Sequence, residues 1–461
     1  MTRLAVVGGG ITGLAAAWEA LAAGAEVTVF EESARMGGRI VTEDIGGRPV
    51  DLGPDAFLAR VPHVLDLCRE LGLDGELVHP ASEGAAIWAG GRLRTLPPGL
   101  VFGAPSGRAD LAALVRAGLL TPAGAARAAL DLVMPATRWG ADPSVGAVVT
   151  SRLGRRVHAA IVDPLVGGIH AGTSDLLSAR ATAPQIADAT RSRSLMHGLR
   201  SGRAATGGGQ GGAAGAAAVA PAPLFASFPG GLGRLVTRLE ERLLAGGATL
   251  STRTAVETAP VEGFDATVLA TSAPVAARLV ATASPGTAAI LRETDEASVA
   301  MAVLVYPDAA LGRPLQGTGF LVPAGEGRLL TACSFASSKW PHWAGSGDVV
   351  LRASAGRWGD ERALGLDDDE LIARLHGELA AALGLAGEPR LTRVTRWHRA
   401  FPQYRPGHLA RVDQAEAALA RDLPAVTLAG AAYRGVGIAA CVAQGRAAAR
   451  RAVAGAPGGG G

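Results

Sequence analysis

Leu4-Ala-Val-Val7 is a short apolar run that stops at glycine, the mark of a buried strand. The largely apolar stretch from Leu14 to Ala23 predicts a helix, and Val27-Thr28-Val29-Phe30 predicts a second strand. Strand, helix and strand at this spacing predict a βαβ unit with parallel strands. Residues 83–98 place apolar positions on either side of Ala89-Gly90-Gly91, which predicts a short hairpin. Residues 106–200 predict mostly helices, with Ser106 and Asp110 as caps and Thr121 ahead of Pro122 at a first helical position. Residues 202–222 have no periodicity and almost no charge, so 201–223 is expected to be a flexible linker, and Gly458–Gly461 a disordered tail. After Phe225–Leu232 an amphipathic helix is expected to about Leu244, followed by strands near Thr249–Val256 and Asp265–Ala270. Apolar, β-branched runs between Val299 and Arg357 predict a second, antiparallel sheet. A helix at Asp368–Leu383, a strand at Leu391–Trp397, and a strand and helix within Val426–Val453 complete the order.

The first turn carries candidate chemistry. Gly8, Gly9, Gly10, Ile11, Thr12 and Gly13 follow the first strand in the pattern Gly-x-Gly-x-x-Gly, and Glu31 closes the second strand, 21 residues after Gly10. Gly8 permits a tight turn, Gly10 lets the backbone approach a pyrophosphate, Gly13 lets helix and strand pack, and an acid at Glu31 accepts from a ribose. These residues predict dinucleotide binding. Leu428-Ala-Gly-Ala-Ala-Tyr-Arg-Gly-Val-Gly-Ile438, more than 400 residues later, is another strand entering a glycine turn and a helix. A second such turn at the far end of the chain predicts that a long, bipartite cofactor is held by both.

Composition narrows the class. At 461 residues the chain is long enough for two or three domains; with 48% hydrophobic and 18% charged residues it is globular and rather apolar. A net charge of +3 gives no footprint for nucleic acid. Only Lys339 among the 44 basic residues is lysine, so a single arginine carries little weight. Cys68, Cys333 and Cys441 lack metal-ligand or CxxC spacing and read as buried small residues in a reducing compartment. No metal site is expected. A core strand that begins by Leu4, with no run of about 20 apolar residues, predicts a cytoplasmic protein without a membrane span, with peripheral association left open by the apolar segment 111–133.

Arg35-Met-Gly-Gly-Arg39 resembles the second glycine motif of the FAD-dependent amine oxidase and desaturase superfamily, which NAD dehydrogenases lack. Further segments resemble, more narrowly, the oxygen-dependent protoporphyrinogen/coproporphyrinogen oxidases of haem biosynthesis: Gly53-Pro-Asp-Ala-Phe57, Asp163-Pro-Leu-Val-Gly-Gly-Ile-His-Ala-Gly172, Ser337-Ser-Lys-Trp-Pro341, Arg396-Trp397, Phe401-Pro-Gln-Tyr404 with Gly407-His408, and Tyr433–Ile438. The resemblance covers nearly the whole chain. It implies an α/β fold: a Rossmann-like FAD domain of the glutathione-reductase and amine-oxidase type (residues 1–80, 224–295 and 411–461), a β-sheet substrate domain (81–105 and 296–410) and a helical insertion (106–200). It implies non-covalently bound FAD, contacted by Gly8 to Gly13, Glu31, Glu32, Gly38, Arg39, Gly53, Pro54, Asp55, Ala56, Val256, Trp397, Val436, Gly437 and Ile438. The Gly168 backbone is placed near the flavin and the reacting carbon.

The implied activity is six-electron oxidation of coproporphyrinogen III to coproporphyrin III in three two-electron steps, with dioxygen reoxidising the flavin to hydrogen peroxide. Protoporphyrinogen IX is the alternative substrate, and transient contact with a ferrochelatase is a further implication. A cofactor that takes hydride directly requires no dedicated base, and His170 reads as a structural histidine. Arg92, Arg94 and Lys339 are candidates for the substrate carboxylates. Eukaryotic members carry an arginine ahead of the hairpin turn where this chain has Ala85, so carboxylate recognition is expected to be rearranged. Two other flavin readings compete. An amine oxidase needs a lysine where Met301 stands, and a carotenoid-type desaturase is not favoured by the Pro-Gln-Tyr and Ser-Lys-Trp-Pro segments. A third reading is a flavin-binding carrier without turnover.

Overall fold

In a computed structural model of the chain, residues 1–205, 223–343 and 347–455 are described. The elements that position the sites are strands β1 (Arg3–Val7), β2 (Glu26–Phe30), β3 (Ala86–Ala89), β4 (Arg92–Thr95), β5 (Thr249–Ser251), β6 (Ala266–Leu269), β7 (Glu296–Pro307), β8 (Gly319–Leu321), β9 (Leu330–Phe335), β10 (Asp348–Ala355), β11 (Leu391–Pro402) and β12 (Val426–Leu428). The helices used below are α1 (Ile11–Ala22), α2 (Asp163–His170), α3 (Gly233–Ala245), α4 (Asp368–Leu383) and α5 (Ile438–Gly455). They fall into two compact units: residues 1–79, 222–295 and 409–461 form one, and 80–221 with 296–408 the other.

The first unit is built on a five-stranded sheet in the order β12-β6-β1-β2-β5, every neighbouring pair parallel. Leu4, Val6, Val27 and Val29 are buried with Leu14, Ala15 and Ala16 of α1, Leu235 and Leu239 of α3, and Val442 and Ala449 of α5. Helices cover a parallel sheet because crossover connections place them on its faces. α1 begins at Ile11, earlier than expected, because extended Gly10 (φ −70, ψ 175) caps it and its carbonyl accepts from Leu14 N at 2.9 Å. β5 stops at Ser251 rather than Val256. Arg253 turns to φ +52, and the amides of Arg253 and Thr254 then bond the Ser33 and Glu31 carbonyls.

The second unit holds a seven-stranded sheet, β11-β7-β10-β9-β8-β3-β4. It is not wholly antiparallel as expected, because β8 runs parallel to β3. Strands so distant in sequence are not bound to the hairpin geometry that makes neighbours antiparallel. One face packs on α4: Ala300, Ala302, Leu304, Leu351, Ala353, Phe320 and Cys333 are buried with Leu371, Leu375 and Leu379. Helices between residues 108 and 205 enclose Leu114, Val148, Val149, Ile161 and Val166. Thr121 caps its helix as expected, accepting from Gly124 N at 3.1 Å. Ser106 is no N-cap: Gly107 takes that position, and Ser106 donates through N and Oγ to Asp110. Residues 201–205 complete the helix Leu195–Ala205 instead of belonging to a linker; the rest of that expectation at 206–222, and the tail after 455, lie outside the described residues. The helix His408–Asp422 was not expected from the sequence.

Candidate active site

In the first unit the glycine turn forms a cradle whose glycines do different work. Gly8 sits at φ +106, and a Cβ there would lie 2.6 Å from the Ala270 carbonyl oxygen. A Cβ at Gly13 would lie 1.9 Å from Gly8 O, so the strand-to-helix crossing requires glycine. At Gly10 a Cβ would find nothing nearer than Gly38 Cα at 4.0 Å, and the backbone there suits any residue. Protein packing explains Gly8 and Gly13 but not Gly10, where the backbone at the N-terminus of α1 stands open. The second glycine motif closes on the first, with Gly37 N donating to Gly9 O at 2.8 Å. Arg35 Nη2 donates to Gly38 O at 2.7 Å.

Glu31 ends β2 with both oxygens engaged: Oε2 accepts from Gly9 N at 2.7 Å and Oε1 from Ser33 N at 2.8 Å. That fixes the acid beside the turn, while Glu32 points to solvent. The far end of the chain arrives here through helix packing. A Cβ at Gly445 of α5 would lie 2.2 Å from Thr12 O, so α5 crosses α1 in close contact, and Ile11 and Ile438 share one core. Burial pushes the Cys441 thiol up, with Thr12 and Arg39 acting in the opposite direction. Val436, Gly437 and Ile438 therefore stand at the start of a helix docked on the cradle. Val256 follows Thr254, whose amide bonds Glu31 O, and packs on the core that contains Val7 and Leu269. Gly53, Pro54, Asp55 and Ala56 follow the strand Pro49–Asp51; Asp51 accepts from Leu232 N at 2.9 Å just ahead of α3.

Gly168 and Trp397 belong to the second unit. Five residues of π-helix, His158–Val162, lead into α2. Asp163 Oδ1 accepts from Ser174 N and Ser174 Oγ, both at 2.7 Å. Because the Ser174 hydroxyl proton goes to Asp163, the 2.7 Å contact with His158 Nε2 is made with the ring as donor. Gln403 Nε2 donates to His170 O and Trp358 N to Ala171 O, so the end of α2 is held from two sides. On this clamped helix Gly168 is exposed, and a Cβ would meet only Leu321 Cδ2 at 3.5 Å. Gly167 beside it is fixed by packing, its Cβ position lying 2.6 Å from Gly172 O.

Leu321 lies on the sheet face opposite α4, since Phe320 points into the α4 core and successive residues alternate. Strand register extends that face into two rows: Thr395, Met301, Ser354, Ala332 and Leu321; then Arg393, Val303, Arg352, Ser334 and Gly319. Trp397 pairs with Val299 on the same face and packs on the small core of Ala171, Ala297 and Val299. Met301, Ser354, Ala332, Ser334, Leu321 and Trp397 are half-buried, whereas Arg352 is only 4% exposed. Its Nη2 donates to Met301 Sδ at 3.2 Å. Arg352 was missed in the sequence, although an arginine inside the apolar strand Asp348–Ala355 is a signal that could have found it.

Arg92 and Arg94, expected for the substrate carboxylates, stand on this same sheet face, Arg94 continuing the first row from Leu321 through Ile87. Arg94 Nε donates to Ala89 O at 3.1 Å and its Nη1 to Ala117 O at 3.4 Å, bracing the hairpin against the helices. Arg92 is exposed on the same edge strand. Lys339 Nζ lies 4.9 Å from the Trp340 ring centre. His170 is buried, its Nδ1 makes no hydrogen bond, and burial pulls its pKa down to about 4. The ring is neutral near pH 7 and a weak base, in keeping with a structural role. Cys68, Cys333 and Cys441 are buried free thiols, and burial pushes Cys68 up to about 12. Among the described residues no cluster of His, Cys, Asp and Glu could hold a metal, and no helix is long and apolar enough to cross a membrane.

A parallel sheet with a glycine turn after its first strand, joined in one chain to an antiparallel-rich sheet with a half-buried face, is the architecture of a flavin-dependent oxidoreductase. The chain belongs to the family of flavin-containing amine oxidoreductases, whose sequence profile matches residues 11–453. It is therefore a flavoenzyme. It is 33% identical to the coproporphyrinogen III oxidase of Bacillus subtilis (strain 168), over 97% of this chain and 97% of that one. It is 37% identical to the coproporphyrinogen III oxidase of Mycobacterium bovis, over 96% and 95% respectively. Among solved structures, a putative protoporphyrinogen oxidase from Exiguobacterium sp. 255-15 superposes with a TM-score of 0.83 at 29% identity, covering 97% of this chain and 98% of that one.

Proposed function

We propose that the enzyme oxidises coproporphyrinogen III to coproporphyrin III, with FAD bound non-covalently in the cradle of the first unit and dioxygen as the final acceptor, reduced to hydrogen peroxide. The full-length likeness to coproporphyrinogen III oxidases carries this proposal. Bound FAD would supply the hydride acceptor for each of the three two-electron steps. The protein's own share is binding, orientation and exclusion of water. Glu31 would hold the ribose, the amides around Gly10 the pyrophosphate, and the start of α5 would close the cradle. The substrate macrocycle would lie on the half-buried face that carries Leu321 and Met301, its reacting carbon beside the exposed backbone at Gly168. Met301 in place of a lysine opposes the amine-oxidase reading.

Anaerobic mixing tests the proposal. Coproporphyrinogen III should bleach the yellow flavin absorbance of the FAD-loaded protein, and benzylamine or putrescine should not. Bleaching by the amines with none by the porphyrinogen would overturn it.

A further inference from the structure

We infer that the Arg352 guanidinium binds a propionate carboxylate of the substrate and selects tetracarboxylate over dicarboxylate porphyrinogens, an inference that rests on the porphyrinogen function proposed above. Arg352 alternates with Leu351 and Ala353, which point into the α4 core, so its side chain leaves the sheet on the face shared with Leu321. Its neighbours in register there are Val303 and Ser334. Its charge is permanent, because guanidinium does not deprotonate in proteins, and its planar donor fork matches a carboxylate. A cation so shielded from water recognises an anion far more strongly than the exposed Arg92 could.

The geometry suits a macrocycle anchored at Gly168. Leu321, which a Gly168 Cβ would touch, lies two strands and two residues from Arg352. By strand spacing and rise that is roughly 12 Å between Cα atoms. That separation is comparable to the reach from a meso carbon across part of a porphyrinogen ring to the end of a propionate arm. Coproporphyrinogen III and protoporphyrinogen IX differ in two propionates against two vinyls, so a carboxylate-binding group at a second place on the rim is what discrimination needs.

Arg352→Leu and Arg352→Lys should be compared with the unchanged enzyme in steady-state oxidation of coproporphyrinogen III and protoporphyrinogen IX. Flavin content and thermal midpoint would verify folding. For Arg352→Leu, KM for coproporphyrinogen III should rise about thirty-fold with kcat within a factor of about three, while KM for protoporphyrinogen IX moves less than about three-fold. Arg352→Lys, which keeps the charge but not the fork, should fall between. Equal losses on the two substrates, or no loss on either, would overturn the inference. If the unchanged enzyme oxidises neither porphyrinogen, the proposed function itself fails. Should Arg352→Leu not fold, binding of the stable product decides: coproporphyrin III should bind Arg352→Lys several-fold more weakly and its tetramethyl ester equally well, and equal coproporphyrin III affinity in the two proteins would overturn the inference.

Discussion

Replacing Gly10 with alanine separates ligand binding from folding. A methyl group there would meet only Gly38 Cα, at 4.0 Å, and φ −70 with ψ 175 is ordinary extended backbone. The apoprotein should fold with stability within about 1 kcal/mol of the unchanged protein, the loss of a favoured N-cap residue offsetting the stiffer unfolded chain. In the proposed binding mode the same methyl group occupies the surface on which the FAD pyrophosphate would rest, so FAD affinity should fall by about 2 kcal/mol or more, at least about thirty-fold. Gly13→Ala supplies the contrast. Its Cβ would stand 1.9 Å from Gly8 O, which forces the turn and α1 apart and should cost about 3 kcal/mol of apoprotein stability. Thermal unfolding of flavin-free protein, with FAD titration followed by fluorescence quenching, measures both quantities; flavin must be absent in the first because binding raises the midpoint. Wild-type FAD affinity in Gly10→Ala, or an apoprotein as damaged as Gly13→Ala, would refute the reasoning.

Other substitutions test other parts. Glu31→Gln turns an amine donor toward one of the amides of Gly9 and Ser33 that the carboxylate now accepts, and FAD affinity should drop about ten- to a hundred-fold in the same titration. His170 binds a proton less readily folded than unfolded, since burial lowers its pKa from 6.5 to about 4; stability should therefore rise with pH through this window and be lost as pH falls. From pH 7 to pH 5 the protein should lose about 2 kcal/mol that His170→Phe does not, and equal losses in denaturant melts would refute this. Asp131, buried, accepts from Arg152 Nε, Ser194 Oγ and the amides of Leu195 and Met196. Asp131→Ala strands the buried guanidinium and should cost about 3–5 kcal/mol in urea unfolding, whereas an unchanged midpoint would mean the network is idle.

The cradle was legible because its signals are local. Turn, helix and acid lie within one βαβ unit, where glycine spacing and apolar runs carry the geometry directly. The docking of α5 on α1 was legible only as a second glycine turn; the contact of Gly445 with Thr12 depends on tertiary packing that no spacing encodes. The parallel pairing of β8 with β3 escaped for the same reason, since nothing in either strand specifies the direction of a distant partner. Ser106 and Asp110 illustrate a different loss. Both are good capping residues, but they bond each other and leave the cap to Gly107. Arg352 went unread because composition hid it: in a chain whose basic residues are almost all arginine, one more drew no notice, though its place between apolar neighbours in a central strand was in view.

Aerobic turnover of coproporphyrinogen III by the purified, FAD-loaded protein tests the central claim most directly, with porphyrin fluorescence and peroxide recorded together and autoxidation subtracted. The account predicts porphyrin formed faster from coproporphyrinogen III than from protoporphyrinogen IX, with three peroxides released per porphyrin as six electrons leave in pairs. Yellow protein that yields no porphyrin above the autoxidation rate from either substrate would contradict it.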